Sequence, residues 1–113
     1  MSWDVKLNND EGITLSINEF FQEGGTQQIG GTNFCELNIT YNYAQVFGSL
    51  VKELHGCKAK DTLQDLKKFV NKWSHAHPYE RDYWAPTPGN AKRAIERLIV
   101  FAEAHPGGTW HVS

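Results

Sequence analysis

The stretch from Thr87 to Gly108 constrains this chain more than any other. Thr87 is a good helix N-cap, and Pro88 stands at the first helical position, where its missing N–H costs nothing. Ala91, Ala94, Ile95, Leu98, Ile99 and Ala102 then recur with helical spacing, and Val100 and Phe101 widen the apolar band. His105-Pro106-Gly107-Gly108 stops the run. A helix from about Pro88 to Ala104 with so broad an apolar surface must be covered on more than one side. The covering surfaces expected are a sheet and a partner subunit, which makes the chain a candidate homo-oligomer.

The remaining segments supply the sheet. Trp3 to Leu7 and Ile13 to Ile17 each alternate apolar and polar residues around the turn-rich Asn8-Asn9-Asp10-Glu11-Gly12. They predict a β-hairpin with Trp3, Val5, Leu7, Ile13, Leu15 and Ile17 on one face. Phe34 to Asn42 alternates again, with Cys35, Leu37, Ile39 and Tyr41 on one side, and predicts a long central strand. Phe47, Leu50, Val51 and Leu54 then fall at the spacing of an amphipathic helix capped by Asn42 and ended at Gly56. A second helix, capped by Asp61 or Thr62, carries Leu63, Leu66, Phe69, Val70 and Trp73 inward. Thr109 to Val112 predicts a short final strand, antiparallel to its neighbour, with Trp110 and Val112 inward.

The order β-β-β-α-α-α-β argues for an α+β fold in a single domain spanning residues 1–113. It is an antiparallel sheet of about four strands (the N-terminal hairpin, a central strand 34–42 and the C-terminal strand 109–112) with three helices packed on one face. Hydrophobic residues make up 40% of the 113, enough for a core and too many for a disordered chain. The net charge of −2 gives no strong nucleic-acid signal, since proteins that hold a phosphate backbone by charge are usually basic. No run approaches the roughly 18 apolar residues of a membrane span. Met1-Ser2-Trp3-Asp4 lacks the basic and apolar regions of a secretory signal. The expectation is a cytoplasmic chain with no membrane partner, in which Cys35 and Cys57 are free thiols.

Chemistry is sparse. His75-Ala76-His77 has a spacing seen in metal sites, and His55, Cys57, His105 and His111 could converge, but no Cys-x-x-Cys or His-Glu-x-x-His motif is present. His55 and Cys57 are neighbours without an elbow motif around either. Gly24-Gly25 and Gly30-Gly31 bracket a glycine-rich flap that lacks the context of a phosphate loop. No catalytic residue, metal ligand or cofactor is therefore assigned.

The stronger constellation precedes and opens the third helix. Trp73, Tyr79, Tyr83 and Trp84 can stack on bases, and Arg81, Lys92 and Arg93 can neutralise phosphate. Thr87, Gly89 and Asn90 bring backbone N–H groups and an amide to the same place. Helices usually carry acids in the first turn, against the partial positive charge of the unpaired N–H groups. Here there is none, and two cations follow. Tyr83, Trp84, Thr87, Gly89, Asn90, Lys92, Arg93 and Arg81 are the candidate ligand-binding residues. The plainer alternative is that Tyr83 and Trp84 plug the core beneath a loop while Lys92 and Arg93 are simply solvated.

Two groups of residues carry a resemblance. Cys35-Glu36-Leu37-Asn38-Ile39-Thr40-Tyr41-Asn42-Tyr43, and Asp82-Tyr83-Trp84 with Thr87-Pro88-Gly89-Asn90-Ala91 and Ala104-His105-Pro106-Gly107-Gly108, resemble small proteins encoded by bacteriophages and prophages. The resemblance spans roughly residues 33–113 and leaves out the hairpin and the glycine-rich flap. It implies the cytoplasm of an infected host cell and a protein that counteracts antiviral defence. Three expectations follow. The first is sequestration of a nucleotide-derived signal without catalysis. The second is inhibition of a host defence protein by direct binding. The third is a small enzyme that degrades the signal.

Overall fold

A computed structural model describes residues 2–21, 32–76 and 85–113. The described elements are β1 (Ser2–Asn8), β2 (Ser16–Phe21), β3 (Thr32–Phe34), β4 (Glu36–Thr40), α1 (Ala44–Phe47), α2 (Ala59–Lys72), α3 (Pro88–Ala104) and β5 (Thr109–Val112). The fold is α+β. One antiparallel sheet has the order β4-β1-β5, and β2 and β3 form a second antiparallel pair.

The centre of the main sheet is β1, which corrects the expectation that the strand after Phe34 lies centrally. β1 pairs with β4 through Trp3↔Ile39 and Val5↔Leu37, and with β5 through Leu7↔Trp110 and Val5↔Val112. Alternation sets the faces as expected: Trp3, Val5, Leu7, Leu37, Ile39 and Trp110 are buried, while Asp4 and His111 are exposed. The helices cover that apolar face, with Leu66 and Phe69 from α2 and Ala91, Ala94, Ile95, Leu98 and Phe101 from α3 in the same core. Each large apolar side chain fully buried in this way contributes roughly 1.5–3 kcal/mol.

The predicted hairpin is cut short. Asn9 organises the turn by accepting from the N–H groups of Glu11 and Ile13, and Leu15 donates to Leu7. Cys35 then enters, donating to Leu15 O and accepting from Leu7 N. With Cys35 bonded to both, the chain after Leu15 pairs with β3 instead of β1. Ile13, left on the turn, is 58% exposed rather than inward. The same bend at Cys35 divides the predicted long strand into β3 and β4. Tyr41 is exposed because a 3-10 turn begins there, its cap Thr40 accepting from Asn42 N.

The helix predicted around Phe47 to Leu54 is a succession of short turns. Phe47, Val51 and Leu54 are buried as their spacing requires, but Gly48 takes a left-handed φ of 59° and ends α1 after four residues. A 3-10 turn at Lys52–Leu54 carries the chain on, and Gly56 takes a left-handed φ of 83°. α2 starts at Ala59, earlier than its predicted caps. Thr62, buried inside it, donates to Ala59 O and accepts from the Trp110 indole at 2.9 Å, so its hydroxyl serves the core and not the cap. α3 and β5 have the predicted limits.

Candidate anion site at the start of α3

The first turn of α3 is built by Thr87 and Asn90. Thr87 is extended, and its hydroxyl accepts from Asn90 N at 3.2 Å while its carbonyl accepts from Ala91 N at 3.1 Å. Pro88 has no N–H. Of the first-turn donors, the N–H of Gly89 is the one that neither Thr87 bond takes. No acidic residue lies in this turn.

Asn90 is turned inward. It is 1% exposed, and its Nδ2 donates to Ala85 O at 3.1 Å, which braces the chain entering the helix. Its amide thus holds the cap in place from beneath the surface, which turns it inward from the ligand-binding place expected of it. Lys92 and Arg93 follow, both half-buried, with the Nε of Arg93 out of solvent. Thr87 and Gly89 are half-buried as well. The first two turns of this 17-residue helix therefore carry the Gly89 N–H, which Thr87 does not take, and the cations Lys92 and Arg93, at the positive end of the helix dipole. Arg81, Tyr83 and Trp84 lie outside the described residues, as do Tyr79 and the Gly24–Gly31 flap.

Trp73, at the end of α2, is half-buried, and its indole Nε1 is a buried donor with no hydrogen-bond partner among the described residues. Lys72 Nζ stands 5.4 Å from the ring centroid. Sequence reasoning overlooked a groove of about 540 Å³ between the turns after α1 and the outer side of α2, with Phe47, Leu50 and Phe69 on its floor and Glu53, Lys68 and Lys72 at its rim. The spacing of Lys68 and Lys72 on α2 was its only trace, and that reads equally as a wet helix face.

Of the five histidines, His77 lies outside the described residues. His105 Nε2 lies 2.6 Å from Ser16 O, tying the end of α3 to β2. His55 and His111 meet edge to face, with centroids 5.1 Å apart, and His55 Nδ1 accepts from Val112 N at 3.0 Å. A ring nitrogen that accepts a backbone proton is not open to a metal, and the other nitrogen of that neutral ring carries the hydrogen. Among the described residues, no three His, Cys, Asp or Glu side chains form a group that could hold a metal ion. Both cysteines are free, Cys35 buried and Cys57 half-buried.

Among the described residues, no helix is long and apolar enough to cross a membrane. Comparison with protein-family models, with curated proteins and with solved structures found no match.

Proposed function

We propose that this chain binds and sequesters a nucleotide-derived anion without catalysis, and that in an infected host cell this withholds a signal from antiviral defence. The observation that carries the reading is the acid-free first turn of α3, capped by Thr87 and followed by Lys92 and Arg93. Cations in a first turn cost about 0.3–1 kcal/mol each against the dipole, less where they follow it as Lys92 and Arg93 do, and a bound phosphate reverses that sign. In this reading the Gly89 N–H and the two cations hold phosphate, and Tyr83 or Trp84 stacks on the base. Oligomers with sites near subunit boundaries belong to the same proposal, because Val100 leaves part of the α3 band exposed.

A second reading, inhibition by direct binding to a host defence protein, draws on the exposed Ile13, Phe34 and Tyr41. One experiment separates it from the first and from an enzyme. The protein is incubated with a panel of cyclic and linear nucleotides, binding is read by thermal shift, and the ligand is analysed after heat denaturation. Sequestration gives a shift and returns the ligand intact. Converted ligand identifies an enzyme, and no shift with any nucleotide transfers the case to protein–protein inhibition. Arg93→Glu and Lys92→Glu should each abolish the shift. Because Arg93 is half-buried, its variant is compared with wild type by circular dichroism melting, and Lys92→Glu provides the reading at the second cation. Undiminished nucleotide affinity in both variants would rule out phosphate at this helix start.

A further inference from the structure

β5 is held along both edges, and its last outward bond differs in kind from the rest. One edge pairs with β1. Along the other, the segment after the Lys52–Leu54 turn runs beside it: Gly56 N donates to Trp110 O, Trp110 N to Cys57 O, and Ala59 N to Gly108 O, at 2.8–2.9 Å. These bonds join backbone to backbone and do not titrate near neutral pH. The Val112 N–H, next along the strand, meets the imidazole Nδ1 of His55 at 3.0 Å instead of a carbonyl.

We infer that His55 is an acid-released latch on the end of β5. A neutral imidazole accepts at Nδ1 only while its proton sits on Nε2. Imidazoles in general take up a second proton at around pH 6–7. The new N–H then points at the Val112 N–H, and an acceptor facing a donor becomes two donors facing each other. The His111 ring stands beside it edge to face, 5.1 Å away centroid to centroid. The charged groups on the adjoining elements are Lys52 and Glu53 on the preceding turn, and Lys6 on β1, the register partner of His111. Asp4 on β1 is held by Asn38 Nδ2 at 2.8 Å, and the Cys57 thiol donates to the Glu53 carbonyl. The release is local: Trp110 stays buried, and its bonds to Cys57 and Thr62 have no group that titrates in this range.

The test is amide hydrogen exchange on the full chain, resolved by NMR at about pH 7.5 and about pH 5 and corrected for the intrinsic pH dependence of exchange. Protection of the Val112 amide should fall roughly three- to tenfold on acidification, the loss of one hydrogen bond, while Trp110 protection holds. In His55→Asn the side-chain oxygen can accept at either pH, so the Val112 drop should vanish. In His111→Gln it should persist. The latch is refuted by pH-independent Val112 protection in the wild type, by a drop that survives His55→Asn, or by one that disappears in His111→Gln.

Discussion

The two ends of α3 are held by different means. At its carboxyl end, tertiary contacts converge. His105 reaches Ser16 O, Lys60 N donates to Pro106 O, Ala59 N donates to Gly108 O, and Lys58 Nζ bonds both Gly107 O and Asp10. Gly108 lies so close to β1 that a β-carbon there would come within 2.8 Å of Leu7 Cγ and 3.0 Å of Leu15 Cδ1. At the amino end the cap itself is made by local bonds: Thr87 with Asn90, Thr87 with Ala91, and Asn90 with Ala85. One end is bonded to elements far away in sequence, and the other is capped by its immediate neighbours while Asn90 and Ala91 behind the cap are buried. Thr87, which is not part of the buried core, is the position where the amino end can be altered with least effect on packing. The proposed binding role lies at the amino end, and the long-range bonds lie at the carboxyl end.

The largest expected effect lies at the anchored end. Gly108→Ala forces the branch point of a fully buried leucine to move, and overpacking of this kind typically costs about 1–3 kcal/mol, or several degrees in Tm for a domain of this size. Gly107→Ala is the control, because a β-carbon there meets nothing within 4 Å and should change stability by less than about 0.5 kcal/mol. Thermal or urea unfolding of the two variants measures the contrast. Equal behaviour would mean that the close approach of Gly108 to Leu7 does not hold this end.

The amino end should respond by about 1 kcal/mol or less. Thr87→Ala removes the cap and should cost about that much. Thr87→Asp keeps a capping oxygen and adds a negative charge at the positive end of the helix, so stability should stay within a few tenths of a kcal/mol of wild type or rise. If phosphate binds here, the same substitution should weaken nucleotide binding at least tenfold by repelling it. Loss of affinity at unchanged stability would separate the binding role of this turn from its folding role. Unchanged affinity in Thr87→Asp would locate any ligand elsewhere, with the groove beside Phe47 and Lys72 the next place to look.

What could be read from the residues follows the range of the signal. α3 was legible to the residue because its cap, proline and stop are local chemistry. β5 was legible because a stop of Pro and two Gly leaves four alternating residues. The turns from Ala44 to Leu54 read as one helix in the spacing. Phe47, Val51 and Leu54 can point inward from successive turns as well as from one helix, and nothing in the spacing reveals that Gly48 has turned left-handed. Alternation in β1 and β4 gave the buried face and was silent about neighbours, so the central strand was misplaced. At the candidate site, Thr87 as cap was legible. The inward turn of Asn90 was not, because a polar residue in a first turn looks the same whether it serves solvent, a ligand or the carbonyl of Ala85.

The smallest perturbation probes the anchored end without altering its packing. Cys35 sits where that end meets the sheet, bonded through its backbone to Leu7 and Leu15, the two leucines against Gly108. Burial pushes its thiol up to about 11 from the ordinary 9.0, because the thiolate would lose its solvation. The thiolate is the reactive form, so Cys35 should resist alkylation in the folded chain, while the half-buried Cys57 reacts. At about pH 8, mass spectrometry should show one label per folded chain, and the second only on unfolding. Stability has a matching dependence. Below pH 9 the thiol is protonated in both states and its contribution is intact. Between 9 and 11 the unfolded chain ionises and the folded one does not, so stability falls as pH rises through that window, and Cys35→Ala should remove that part of the fall. In Gly108→Ala, faster labelling of Cys35 than in wild type under native conditions would show that the displaced leucines open this end locally. An unchanged rate would show that the strain is spread through the core, and that the carboxyl end of α3 yields only when the whole domain does.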